Sequence, residues 1–86
     1  MSIKIAIFGS GSGTNAENII QYFECNQSIE VALVLSNKAD AYILERARLR
    51  HIPSAVFTKT DFNNVVELLS LLKEYEVDFI VLPGLS

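Results

Sequence analysis

The chain has 86 residues, half of them hydrophobic and a fifth charged, so it has the composition of one small globular domain and not of a disordered tail. The formal charge is −3 with no basic block, which argues against nucleic-acid binding, since that rests on clustered Lys and Arg neutralising phosphates. The single cysteine, Cys25, excludes an internal disulfide; no signal peptide precedes the first apolar run and no run approaches the ~20 residues of a membrane span, so the expectation is a cytoplasmic protein with no membrane partner.

Ile3 to Phe8 is nearly continuous in apolarity and rich in β-branched residues, which suits a strand covered on both faces. It runs into Gly9-Ser10-Gly11-Ser12-Gly13-Thr14-Asn15. From Ala16 to Cys25, Ala16, Ile19, Ile20 and Phe23 fall at helical spacing, with Glu17, Asn18, Gln21 and Glu24 on the other side. Thr14 and Glu17 have the spacing of a capping box, with Thr14 as N-cap and Glu17 reaching back to it. Strand, glycine loop and helix together make an anion site. The first N–H groups of a helix lack intrahelical partners, the macrodipole is positive there, and glycines admit close approach. Gly11, Ser12, Gly13, Thr14 and Asn15 are the candidate phosphate-binding residues.

Asn26 to Ser28 turns the chain. Ile29 to Leu35 reads as a second buried strand, ending at Ser36-Asn37-Lys38-Ala39-Asp40. Asp40 is placed to cap a helix from Ala41 to about Arg50, and Pro53 prevents its continuation. Arg46, Arg48 and Arg50, the only basic concentration, read as a solvated helix end complementing the dipole. Ser54 to Phe57 is a short edge strand. After a polar loop to Asn63, Val65, Leu68, Leu69, Leu72 and Tyr75 mark a third amphipathic helix, with Asn64 and Glu67 spaced as a second capping box. Val77 to Leu82 is a fourth strand, followed by Pro83-Gly84-Leu85-Ser86.

The order β-α-β-α-β-α-β predicts an α/β fold: a doubly wound, Rossmann-like parallel sheet in strand order 3-2-1-4. Ligands bind outside the carboxyl ends of the strands where the order reverses, here between the first and fourth strands. The fourth strand would then be an apolar edge with only Asp78 and Pro83 to protect it. Residues 1–86 therefore read as one phosphate-binding α/β unit, the first half of a larger domain; the missing half, or a second copy in a homo-oligomer, covers that edge.

Two anions fit the loop. Gly11-x-Gly13-x-x-Ala16 satisfies the relaxed dinucleotide pattern, but the second strand ends in Ser36-Asn37-Lys38 without the acidic residue that binds a ribose in NAD proteins. Lys38 keeps an NADP-binding half of an oxidoreductase as an alternative; a non-catalytic nucleotide-binding or assembly module is another. The other anion is a single phosphate, held by loop amides with Thr14 and Asn15.

Ser10-Gly11-Ser12-Gly13-Thr14-Asn15, then Ser36-Asn37-Lys38-Ala39-Asp40-Ala41-Tyr42 and Leu44-Glu45-Arg46-Ala47, then Asp78-Phe79-Ile80-Val81-Leu82-Pro83-Gly84, together resemble the phosphoribosylglycinamide formyltransferases of purine synthesis. The resemblance covers the whole chain but about the first half of a family member. It implies transfer of a formyl group from 10-formyltetrahydrofolate to glycinamide ribonucleotide, with no metal. It places the ribonucleotide's phosphate on the segment at Gly13, Thr14 and Asn15, and the folate pocket's border at Gly84, Leu85 and Ser86. The family's catalytic residues lie beyond Ser86, so no catalytic residue is assigned here, and the 86 residues alone are expected to be inactive. His51 reads as a surface histidine at a helix end facing away from the ligand edge, and Asp40 and Asp61 as caps. Pro83, Leu85 and Asn63 depart from the family pattern, all on the folate side.

Overall fold

A computed structural model describes residues 2–9, 14–24, 26–57 and 62–82, with side chains from Glu17 in the first helix and from Val65 in the third. Four parallel strands form one sheet: β1 (Ile3–Phe8), β2 (Ile29–Ser36), β3 (Ser54–Val56) and β4 (Phe79–Val81), in the order β3-β2-β1-β4. Three helices alternate with them: α1 (Thr14–Glu24), α2 (Tyr42–Leu49) and α3 (Phe62–Glu74). The doubly wound sheet and its 3-2-1-4 order are as the element pattern predicts.

The two faces of the sheet fill differently. Ile5, Ile7 and Val34 pack with Ile20 of α1 and with Ala41, Ile43 and Ala47 around α2. Ala6, Leu33 and Leu35 project the other way, against Leu68, Leu71 and Leu72 of α3 and Tyr75 just after it. Constant crossover handedness requires this split. The chain moves outward from β1 through β2 to β3, with α1 and α2 on one face; it then crosses back to β4, which puts α3 on the opposite face. Both faces of β1 and β2 are covered, so both read as apolar runs and not as alternating strands. Between Ile5 and Ala6 the register shifts, because Ala32 is an extra residue on β2 between Val31 and Leu33.

Several local expectations change. α1 opens at Thr14, and α3 opens at Phe62, which places Asn64 inside the helix and not at its cap. α2 begins at Tyr42 with Ala41 at the N-cap and no side-chain cap hydrogen bond, so Asp40 does not cap it. A turn closed by the Ala41 N–H donating to the Lys38 carbonyl (3.1 Å) leads into the helix instead. Leu68 and Leu72 of α3, and Tyr75 just after it, face the core, joined by Leu71, while Val65 and Leu69 are exposed. The fourth strand is shorter than its apolar run. Val77 is drawn off to close α3, its N–H donating to the Leu72 carbonyl (2.9 Å).

Asp78 also behaves differently from an edge guard. Its N–H donates to the Lys4 carbonyl (2.7 Å), and its carboxylate accepts the Lys4 N–H (2.9 Å). The charge thus turns inward onto β1. Phe79, Ile80 and Leu82 remain exposed, by 62%, 44% and 53%. Pro83 lies outside the described residues.

Candidate functional site

The order reverses between β1 and β4, so the carboxyl ends of these two strands bound the expected crevice. Gly9, buried at the end of β1, donates its N–H to the Leu35 carbonyl (2.9 Å), which holds the strand's exit against β2. α1 starts five residues later, at Thr14. Thr14 and Asn15 therefore stand in the first turn of a helix that leaves the carboxyl edge at the switch point, where unpaired N–H groups favour an anion. Their side-chain contacts are outside the described set, as are Gly11, Ser12 and Gly13. So are Gly84, Leu85 and Ser86, which follow β4 in the chain, and Asp61.

The Ser36 segment meets the same edge at the end of β2. Ser36 is fully buried; its Oγ accepts the Lys38 N–H (3.2 Å) and its carbonyl accepts the Phe57 N–H (2.9 Å). A serine hydroxyl bonded to an amide two residues on fixes a turn without help from the ladder. Asn37, Lys38 and Asp40 are exposed on that turn. The Ser-Asn-Lys pattern is thus a built turn whose serine is structural and whose polar side chains face outward.

His51 belongs to the opposite edge. It is exposed, and it borders a recess with Lys4, Glu30, Glu74 and Glu76. Lys4 and Glu30 lie near the amino ends of β1 and β2, so His51 is remote from the carboxyl edge, as expected. Its φ of 59° is left-handed. His51 N–H donates to Arg48 and Ile52 N–H to Ala47 (3.1 and 2.9 Å), a Schellman closure of α2. Its position is explained by helix termination.

Sequence reasoning missed the environment of Glu17. Instead of reaching back to a cap, Glu17 is buried at 6% exposure. Arg50 approaches both its oxygens, Nη2 to Oε1 at 2.5 Å and Nη1 to Oε2 at 3.4 Å, and Gln21 Nε2 donates to Oε1 at 3.2 Å. Arg46 Nε lies 3.6 Å from Oε2, with its guanidinium 4.8 Å over the Tyr42 ring. Arg50 Nε also donates to Glu24. That hydrogen bond leads the causes raising the Arg50 pKa above its ordinary value; burial opposes it and the charges of Glu17 and Glu24 add to it. Arg46 and Arg50 are therefore interhelix partners and not a solvated end; only Arg48 pairs along its own exposed face, with Glu45. The signal was present as matching stripes: Glu17, Gln21 and Glu24 on α1, and, four apart, Arg46 on α2 and Arg50 at its C-cap.

Among the described residues no cluster of three His, Cys, Asp or Glu side chains is placed to hold a metal ion, and no helix is long and apolar enough to cross a membrane.

Comparison with known proteins is consistent along the whole chain. The formyl transferase family model matches residues 3–86. The phosphoribosylglycinamide formyltransferase of Haemophilus influenzae is 43% identical over 88 residues, covering 94% of this chain and 41% of that protein. A crystal structure of phosphoribosylglycinamide formyltransferase from Bacillus halodurans superposes with a TM-score of 0.82 at 41% identity, over 94% of this chain and 44% of that one. The enzyme structure from Brucella melitensis gives 0.85 at 30% identity, over 95% and 45%. The chain thus spans less than half the length of these relatives. None of these matches favours the NADP-binding or non-catalytic alternatives.

Proposed function

The chain belongs to the formyl transferase family, and we propose that it is the substrate-phosphate-binding, N-terminal part of a glycinamide ribonucleotide formyltransferase. The likeness to relatives bearing that name carries the reading. In the proposed reaction, a formyl group leaves 10-formyltetrahydrofolate and joins the amino group of glycinamide ribonucleotide, a step of de novo purine synthesis in the cytoplasm. The folate is a co-substrate, and no metal is invoked.

The residues of this chain have a limited part in that reaction. Gly11, Ser12, Gly13, Thr14 and Asn15 hold the ribonucleotide's phosphate on the loop and the first turn of α1. The placement of α1 at the switch point supports this, since a phosphate there meets partial positive charge and unpaired amides. Gly84, Leu85 and Ser86 border the folate, on the β4 side of the same crevice. No residue of this chain is assigned to proton transfer or to the attack itself. Residues 1–86 act as one phosphate-binding α/β unit. The exposed apolar residues of β4 support a further reading: this edge is covered by the remainder of the same protein, or by a second copy.

Calorimetric titration of the intact protein tests the phosphate assignment. Wild type binds glycinamide ribonucleotide and inorganic phosphate competitively. Asn15→Ala weakens both, and Gly13→Val weakens them more because a branched Cβ obstructs the anion's approach. Unchanged affinity in both variants removes the loop from the site. Tight NADP binding that Lys38→Ala abolishes replaces the reading with the dinucleotide one.

A further inference from the structure

We propose that Glu17 is a positioning residue for the anion site, and that Arg46 and Arg50 form the clamp that holds it and cancels its charge. The proposal rests on reading the first turn of α1 as the phosphate site.

A carboxylate one turn inside α1 poses an electrostatic problem. It stabilises the empty helix by sitting near the positive end of the dipole, but it opposes a phosphate at the same end. The structure answers it locally. Glu17 and Glu24 contribute two negative charges, Arg46 and Arg50 two positive ones, and the four groups form one contiguous cluster of zero net charge. Glu17 is buried and accepts from Arg50 through both oxygens, a fork geometry that fixes orientation as well as charge.

The clamp reaches across elements. Side chains of a helix lean toward its N-terminus. Arg46, from the later part of α2, and Arg50, at its C-cap, reach toward the first turn of α1, and Arg46 is further braced on Tyr42. Tyr42 opens α2, directly after the turn that Ser36 fixes at the end of β2. Through Glu17, the first turn of α1 is therefore tied to the helix that follows the neighbouring carboxyl-edge segment. Arg46 Nε is buried without a hydrogen bond, facing Glu17 Oε2 at 3.6 Å, so its contribution at this point is charge.

A purely structural clamp and a charge-compensating one respond differently to substitution. Glu17→Gln preserves an oxygen acceptor for Arg50 and removes the negative charge. Arg50→Gln leaves the buried carboxylate under-compensated. Phosphate and glycinamide ribonucleotide dissociation constants are measured on the intact protein at low and high salt, with circular dichroism as the check of folding. Glu17→Gln is expected to bind as tightly as wild type or tighter, and Arg50→Gln more weakly by on the order of 3- to 10-fold at low salt, the difference shrinking as salt rises. The double variant Glu17→Gln/Arg50→Gln returns toward wild-type affinity, because removing the acid removes the need for its counter-charge.

Arg50→Lys keeps the charge without the fork and stands in where Arg50→Gln fails to fold; it is expected to bind within about 2-fold of wild type. Arg50→Gln with wild-type affinity, a double variant no tighter than Arg50→Gln, or Glu17→Gln weaker than wild type overturns the proposal. Asn15→Ala run alongside separates the two readings. If Asn15→Ala weakens phosphate binding and Arg50→Gln leaves it unchanged, the clamp alone is refuted. If wild type binds no phosphate, the anion site falls and the clamp with it.

Discussion

Two residues occupy conformations their side chains oppose. His51 (φ 59°) and Glu76 (φ 57°) sit at the left-handed positions that close α2 and α3, where glycine is preferred. In both closures the next amide, Ile52 or Val77, donates back into the helix, and its apolar side chain packs beneath. His51→Gly and Glu76→Gly should each stabilise the protein by about 0.5 kcal/mol, the relief of left-handed strain exceeding the extra entropy lost by glycine. Thermal unfolding of each single variant and of the pair reads this as a rise in Tm; a fall in both would show that the side chains' own contacts outweigh the strain. The sequence carries no glycine at either place, which is why neither helix end could be located from it to the residue. At Glu45 the prediction concerns pH. The Arg48 hydrogen bond holds its carboxyl below the ordinary value; desolvation opposes this and the Arg48 charge adds to it. A depressed carboxylate contributes stability above its unfolded pKa and loses it as pH falls through the folded one. Being exposed to solvent, the pair contributes little. Carbon-detected NMR titration should show the Glu45 midpoint rising toward the ordinary glutamate value in Arg48→Gln; an unmoved midpoint would show that Arg48 does not hold it down.

At the scale of elements, what was legible and what was not follow from the same physics. β1 and β2 are apolar on both faces because helices cover both, and the pattern of Ile3 to Phe8 and Ile29 to Leu35 announces that directly. The first capping box failed because spacing alone cannot tell whether Glu17 turns toward its own cap or across to α2, where its partners Arg46 and Arg50 are about 30 positions away in sequence; the second failed because α3 opens at Phe62, ahead of Asn64. β4 contracted because Val77 was claimed by the closure of α3 and Asp78 by the backbone of Lys4. With Asp78 turned inward, the outer side of β4 carries Phe79, Ile80 and Leu82 uncovered. If further chain or a second copy covers this edge, Phe79 is a core residue of the assembled protein. Phe79→Ser should then destabilise by about 2–4 kcal/mol in denaturant unfolding, against at most about 0.5 kcal/mol for a surface position. Tyr22→Ser, exposed by 73% on α1, is the control expected to fall in the smaller range. Equal, small effects at both positions would mean that β4 remains an open edge.

For the whole molecule, the proposed formyl transfer, if it is this protein's reaction, predicts that substrate binding on the first turn of α1 and the chemical step depend on different residues. Formyl transfer needs groups that move protons beside the attacking nitrogen, within hydrogen-bond reach of it. At the carboxyl edge the described residues offer Lys38 and Asp40 on an exposed turn, while Glu17 is engaged with Arg50 and Gln21. The one histidine is at the other end of the sheet, beside Lys4 and Glu30. No acid and base are thereby brought together across the crevice among the described residues. Two substitutions in the intact protein make the division measurable. His51→Ala, at the amino edge, should leave both kcat and KM for glycinamide ribonucleotide unchanged. Asn15→Ala, in the first turn of α1, should raise KM about 10-fold or more and leave kcat nearly unchanged, since it removes an interaction made equally in the ground and transition states. Steady-state kinetics following tetrahydrofolate release would read both. A collapse of kcat in His51→Ala would place proton transfer on this chain after all, and would require the amino-edge recess to reach the reacting atoms.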